Sequence, residues 1–104
     1  MTDSFLPLAV VTGAAHRIGR AIALELASQG FAIGLHYHSS QAAAQETAAM
    51  IAEIAPVPVF LQQADLTQPD QIDGLFARVA ELPYPLRVLV NSAAVMSTGS
   101  CTNG

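Results

Sequence analysis

Four short apolar runs alternate with three helical patterns along this chain, and that alternation narrows the fold more than any other feature. The runs are "LAVVT" from Leu8, "FAIGLHY" from Phe31, "VPVFLQ" from Val57 and "LRVLVN" from Leu86. Each is nearly continuous in apolar residues, the pattern of parallel strands covered on both faces. Their starts lie 23, 26 and 29 residues apart, the length of a right-handed crossover unit.

The intervening segments have helical spacing. From Arg17 to Gln29, Ile18, Ile22 and Leu26 recur every four residues, and Gly30 stands where a left-handed helix cap is usual. From Gln41 to Ala55, the residues Ala44, Ala48, Ile51 and Ala55 form a stripe that Pro56 stops. From Gln68 to Leu82, Ile72, Leu75, Phe76 and Val79 make the cleanest amphipathic face. Thr67 with Asp70 three residues on predicts a start like a capping box. The order β-α-β-α-β-α-β predicts an α/β fold, a doubly wound parallel sheet with helices on both faces. The strand order 3-2-1-4 places a crevice between strands 1 and 4, above their carboxyl ends.

Composition sets outer limits. At 104 residues this is one domain at most, and 52% apolar with 12% charged residues argues against disorder. A net charge of −4 argues against nonspecific binding of nucleic acid or anionic membranes. The run around "FLPLAVV" is too short for a membrane span, and Asp3 before it is unlike a signal peptide. Cys101 is the sole cysteine, which excludes an internal disulfide and a cysteine-built metal site. A reducing cytoplasm is the expected compartment. No lysine is present, so Arg17, Arg20, Arg78 and Arg87 are the permanent cations.

The segment "TGAAHRIG" has the chemistry of a dinucleotide loop. Gly13 permits a tight turn, Ala14 and Ala15 keep the loop slim, and Gly19 lets the helix approach the sheet. The helix start offers free N–H groups to a diphosphate. A purely structural turn is the competing reading. The second strand ends in "LHYHSS", with no carboxylate to accept from a ribose 2′-hydroxyl. His36, His38, Ser39 and Ser40 can donate hydrogen bonds there, and Arg17 adds a charge from the neighbouring loop, which suits a 2′-phosphate and favours NADP. Each histidine also has an ordinary reading as a loop-edge residue, and Arg20 reads as a helix-surface residue. "QADL" puts Asp65 and Leu66 at the crevice rim, facing adenine or serving only as a polar connection. "VLVNSAA" offers Asn91 and small residues that admit a flat ring; Asn91 also suits a purely structural tie.

Together these motifs resemble the N-terminal half of a short-chain dehydrogenase/reductase, whose fold is a Rossmann-type sheet. Within that family, "VTGAAHRIGRAIA" and "LHYHSS" are most similar to the pteridine reductase branch, in which an arginine replaces the middle glycine of TGxxxGxG. The resemblance runs from Leu8 to about Ala94 and implies an NADP site. Gly13, Arg17, Ile18 and Gly19 would line the pyrophosphate and ribose. Arg17, His38, Ser39 and Ser40 would sit near the 2′-phosphate, with His16 assisting. Asp65 and Leu66 would face adenine, and Asn91 and Ala93 would lie near the central ribose and nicotinamide. Ser39 stands where this branch often has arginine, and "NSAA" replaces the usual NNAG or NNAS, with Ser92 and Ala94 at the altered positions.

The resemblance implies a parent enzyme that moves hydride from NADPH to a carbonyl or C=N bond, with a pteridine-like ring as first substrate and an ordinary ketone as second. Its full-length form would be a homo-oligomer acting on a small molecule. The family's catalytic serine and YxxxK pair have no counterpart in these 104 residues, so no catalytic residue is assigned. Residues 1–104 are therefore expected to form the N-terminal half of a dinucleotide-binding domain. Within it, 95–104 are expected to be a frayed tail. Alone the chain is expected to be marginal, prone to associate and inactive. The alternative is a noncatalytic module that senses NADP or serves in assembly.

Overall fold

The computed structural model describes residues 6–14 and 16–92. Every residue of its first strand, β1 (Leu8–Thr12), is buried, as a strand with neighbours on both sides and helices on both faces must be. The chain continues through α1 (Arg17–Ser28), β2 (Ala32–Tyr37), α2 (Gln41–Ile54), β3 (Val59–Gln63), α3 (Pro69–Ala80) and β4 (Leu86–Asn91). The four strands pair in parallel in the order β3-β2-β1-β4. The doubly wound architecture and its strand order are those the sequence predicts.

Alternate residues of β1 face opposite layers. Ala9 and Val11 join Ala23 and Ala27 of α1, Ile33 and Leu35 of β2, and Ala44 and Ile51 of α2. Leu8 and Val10 face the other way, with Leu75 and Val79 of α3. The helices α1 and α2 thus cover one face and α3 the other.

The face that α1 buries is the predicted one in part, with Ile22 and Leu26 packed against the core. Gly19, Ala23 and Ala27 are buried against the sheet, whereas Ile18 is 71% exposed. The fully buried positions keep the four-residue spacing but are displaced by one, because a helix starting on a tight turn must present its smallest side chains to the strands. In α2 the expected stripe holds, with Ala44 and Ile51 buried and Ala48 and Ala55 packed on the core. Thr47, which the stripe did not include, is buried beside it.

Element ends differ from the expectation for local reasons. Helix α1 closes in a Schellman motif: Gly30 has φ 97°, its N–H donates to Ala27 O, and the Phe31 N–H donates to Leu26 O. That bond occupies Phe31, and β2 begins one residue later than its apolar run. Strand β3 starts at Val59, after Pro58. The predicted Thr67–Asp70 capping box is not formed. Gln68 is the N-cap residue, without a side-chain bond, and Pro69 opens α3. Thr67 is engaged elsewhere: its amide and hydroxyl both donate to Asp65 Oδ1, at 3.0 and 2.6 Å. Covering on both faces fails for β4, where Leu86 and Leu89 are 42% and 50% exposed. The predicted tail, 95–104, lies outside the described residues.

Candidate functional site

The carboxyl ends of all four strands meet at one edge of the sheet, with Thr12 paired to Asn91 and Tyr37 to Gln63. The loop after β1 is the centre of this edge. Gly13 has φ 64°, a backbone that favours glycine. A Cβ on Gly19 would drive into the Gly13 carbonyl and come within 2.8 Å of Ser92 Oγ. Only glycine lets α1 start this close to β1.

The start of α1 is open. Its N-cap residue, His16, makes no side-chain cap bond, and the first turn holds no acid. The first intrahelical bond runs from the Arg20 N–H to the His16 carbonyl at 2.9 Å. The N–H groups of Arg17, Ile18 and Gly19 therefore lack acceptors within the helix. Arg17 has φ 21°, a conformation that explains why the related pattern has glycine there. Its side chain is exposed.

At the end of β2 the histidines divide. His36 is no loop-edge donor, as the sequence suggested; it is 2% exposed. Its Nδ1 accepts the Gly13 N–H at 3.0 Å, and its Nε2 lies 2.9 Å from the Ala64 carbonyl. Since a carbonyl only accepts, the ring is the neutral Nε2–H tautomer. Burial is the main cause that pushes its pKa below the ordinary 6.5, and His38 adds to it, against the raising effect of the Ala64 bond. His38 and Ser39 are exposed. Ser40 Oγ lies 3.1 Å from His16 Nε2, joining the loop after β1 to the loop after β2.

His38 also approaches Asp65, with Nε2 3.7 Å from Oδ2. The expected phosphate and adenine groups are thus direct neighbours. Bonds from the Thr67 hydroxyl, then from its amide, hold the Asp65 carboxyl below its ordinary 3.8. The position of this rim is set from α3: Arg78 donates to Gln62 Oε1 and to the Gln63 carbonyl, both at 2.9 Å. Gln63 Nε2 in turn donates to the His38 carbonyl at 2.7 Å.

On the far side, Leu66 and Asn91 line a cleft of about 290 Å³ with Thr12, Leu75, Phe76 and Leu89. The Ser92 N–H donates to Thr12 Oγ1 at 3.0 Å. That hydroxyl lies 3.1 Å from Asn91 Oδ1 and 3.2 Å from the Val90 carbonyl, either of which it can serve as donor. The Ser92 hydroxyl donates to the Thr12 carbonyl. Ser92 thus clasps β4 to β1, and Asn91 has the structural tie foreseen for it. Ala93 lies outside the described residues. Arg20 is not merely a helix-surface residue: Nε donates to Thr47 Oγ1 at 2.8 Å and Nη2 pairs with Glu46 at 3.2 Å, pinning α1 to α2.

Sequence reasoning missed Thr12, Arg78 and the buried role of His36. A signal existed for the last. A histidine inside an apolar run of a central parallel strand is enclosed, and both ring nitrogens then require partners.

An open helix start beside a glycine-only contact, at the carboxyl edge of a doubly wound sheet, defines a dinucleotide-binding unit. The chain belongs to the short-chain dehydrogenase family, whose model matches residues 7–103. It is 39% identical over 93 residues to a short-chain type dehydrogenase/reductase of Picea abies, covering 85% of this chain and 34% of that protein. It is 34% identical over 105 residues to the NADPH-dependent aldehyde reductase 2, chloroplastic, of Arabidopsis thaliana, covering 91% and 39%. The crystal structure of a short-chain dehydrogenase/reductase from Burkholderia xenovorans shares the fold, with a TM-score of 0.78 at 23% identity over 84% of this chain and 36% of that one. The chain therefore spans a little over a third of the length of these three proteins. No helix among the described residues is long and apolar enough to cross a membrane.

Proposed function

We propose that this chain is the NADP(H)-binding portion of a reductase. The observation that carries the reading is Arg17, an exposed guanidinium at the open start of α1, beside a second loop in which His38, Ser39 and Ser40 bring no carboxylate. A 2′-phosphate is a dianion, and a charge-assisted contact from arginine favours it where a ribose hydroxyl gains little. The similarity to an NADPH-dependent aldehyde reductase supports the same choice.

In this reading the N–H groups of Ile18 and Gly19 receive the pyrophosphate, and the Gly13 turn, whose own N–H is held by His36 Nδ1, lines it. Arg17, His38, Ser39 and Ser40 take the 2′-phosphate. Asp65 and Leu66 border adenine, and Asn91 with Ala93 borders the ribose and nicotinamide. The cofactor, once bound, supplies hydride to a carbonyl or C=N carbon. The parent enzyme is a homo-oligomer acting on a small molecule, with a pteridine-like ring as first candidate because "TGAAHRIG" and "LHYHSS" resemble that branch.

Titration of the chain with NADPH and NADH tests this, followed by fluorescence or calorimetry. NADPH is expected to bind at least about tenfold more tightly, the worth of one charge-assisted contact. Arg17→Glu is expected to abolish the preference. Equal affinities, or a preference that survives Arg17→Glu, would overturn the reading.

A further inference from the structure

We propose that His36 is the positioning residue of the glycine-rich loop: its unprotonated Nδ1 holds the Gly13 amide in the turn that a dinucleotide needs, and protonation of that nitrogen releases it. The inference rests on the dinucleotide reading of the loop and adds a residue and a pH dependence to it.

The geometry leaves the ring one working state. Nε2–H is committed to the Ala64 carbonyl at 2.9 Å on the β3 side, so Nδ1 is left as the acceptor for Gly13 N–H at 3.0 Å. The neighbouring Ala14 N–H donates to the His36 carbonyl at 2.9 Å. Side chain and backbone of one strand residue therefore grip two successive amides of the loop. Gly13 matters beyond its own amide, because its carbonyl is the atom against which Gly19 is packed. A shift at Gly13 is felt at once at the first turn of α1, where the N–H groups for a diphosphate stand.

A proton on Nδ1 would set two N–H donors face to face across 3.0 Å. The ring is 2% exposed, so the clash is not relieved by turning Nδ1 into solvent. Ionisable groups on the surrounding elements are His38 on the β2 end, Asp65 on the β3 end, and His16 and Arg17 at the start of α1. His38 acts on the ring in the same direction as burial, and Asp65 faces His38 rather than His36. Among the described residues no carboxylate is paired with the His36 ring. Because the folded-state value lies below the ordinary 6.5, the tie is fully present above that pH and is lost as pH falls through the lowered value.

The experiment follows the 104-residue chain by NMR with 15N-labelled histidine and glycine, from about pH 8 to about pH 5 across the imidazole range. The expected spectrum at high pH has His36 in the Nε2–H tautomer, with the Gly13 amide resonance moving along the His36 titration curve. His36 and Gly13 signals are assigned by the spectra of His36→Gln and Gly13→Ala. In parallel, affinities for NADPH and NADH are measured over the same range. Both are expected to weaken about tenfold on protonation, the scale of leaving one buried donor unpaired. His36→Gln, whose amide can both accept and donate, is expected to keep binding and lose the pH dependence, while His38→Asn retains it.

A Gly13 amide that ignores the His36 titration, or a ring in the Nδ1–H tautomer, would overturn the proposal even if His36→Gln fails to fold. A decline confined to NADPH would also overturn it, because that places the titration on the 2′-phosphate. If neither nucleotide binds at high pH, the dinucleotide reading itself fails and the role of His36 in binding falls with it. Gly13 and His36 titrating together would then show only a structural tie.

Discussion

The α-carbon of Gly19 stands so near the Gly13 carbonyl that a methyl group there has no space. Gly19→Ala must push α1 away from the end of β1 or distort the Gly13 turn. Overpacking of this kind costs about 1–3 kcal/mol, and here the obstacle is backbone that cannot rotate aside. Urea denaturation of Gly19→Ala is expected to show a loss in that range, with dinucleotide affinity falling as well. Unchanged stability would mean that the helix start is more yielding than the contact implies.

Arg17 occupies a backbone conformation, φ 21°, that side-chain-bearing residues seldom adopt. Arg17→Gly is expected to stabilise the fold by about 1 kcal/mol, the low end for relief of such strain. The same substitution should erase discrimination between NADPH and NADH. Stability and cofactor preference should therefore move in opposite directions, which denaturation and titration on one sample will show. A variant that loses both would contradict the placement of strain at this residue.

Thr47 is fully buried between α1 and α2, where Oγ1 accepts from Arg20 Nε at 2.8 Å and donates to the Ala43 carbonyl at 3.1 Å. Thr47→Val keeps the shape and removes the acceptor. It is expected to cost about 1–3 kcal/mol, the penalty for depriving a half-buried charged donor of a partner. Thr47→Ser should recover most of it. Equal midpoints for Val and Ser would show that packing alone matters here.

Asp65 contributes a pH dependence that comes mainly from hydrogen bonds rather than from an ion pair. Its carboxyl lies below 3.8 chiefly because the Thr67 hydroxyl and amide donate to it. A depressed carboxylate stabilises the fold above the unfolded-state value, and this contribution disappears as pH falls through the lower folded-state value. Thr67→Val removes the hydroxyl donor. Its urea midpoint should lie below wild type near neutrality, and the gap should close in acid below about 3.8. A gap that stays constant with pH would assign the effect to something other than Asp65.

How much of this was legible in the sequence depends on what each residue's neighbours are. Strand β1 reads correctly because five successive buried residues leave no alternative to a central strand, and Gly30 because a left-handed cap is a local property. The face of α1 read correctly only in part. Periodicity chose Ile18 with Ile22 and Leu26. The latter two pack on the core, but at the first turn the Gly13–Gly19 approach admits only glycine at the contact and leaves Ile18 outside. The capping box at Thr67 failed for a similar reason, since Asp65 two residues earlier competes for the same donors. Of the candidate site, the loop Gly13–Gly19 and the His16–Ser40 proximity are consistent with the motifs. The clasp of Ser92 on Thr12 and the reach of Arg78 to Gln63 join residues too distant in sequence for any spacing rule to pair.

The placement of β1 between β2 and β4 has a consequence for how the chain is made. Thr12 bonds to a carbonyl 78 residues further along, so one edge of β1 stays without its mate until β4 has been synthesised. While the intervening residues are made, that edge is available to any passing extended segment. Nascent chains of this protein should therefore rely on chaperone shelter in proportion to the delay before residue 91 emerges.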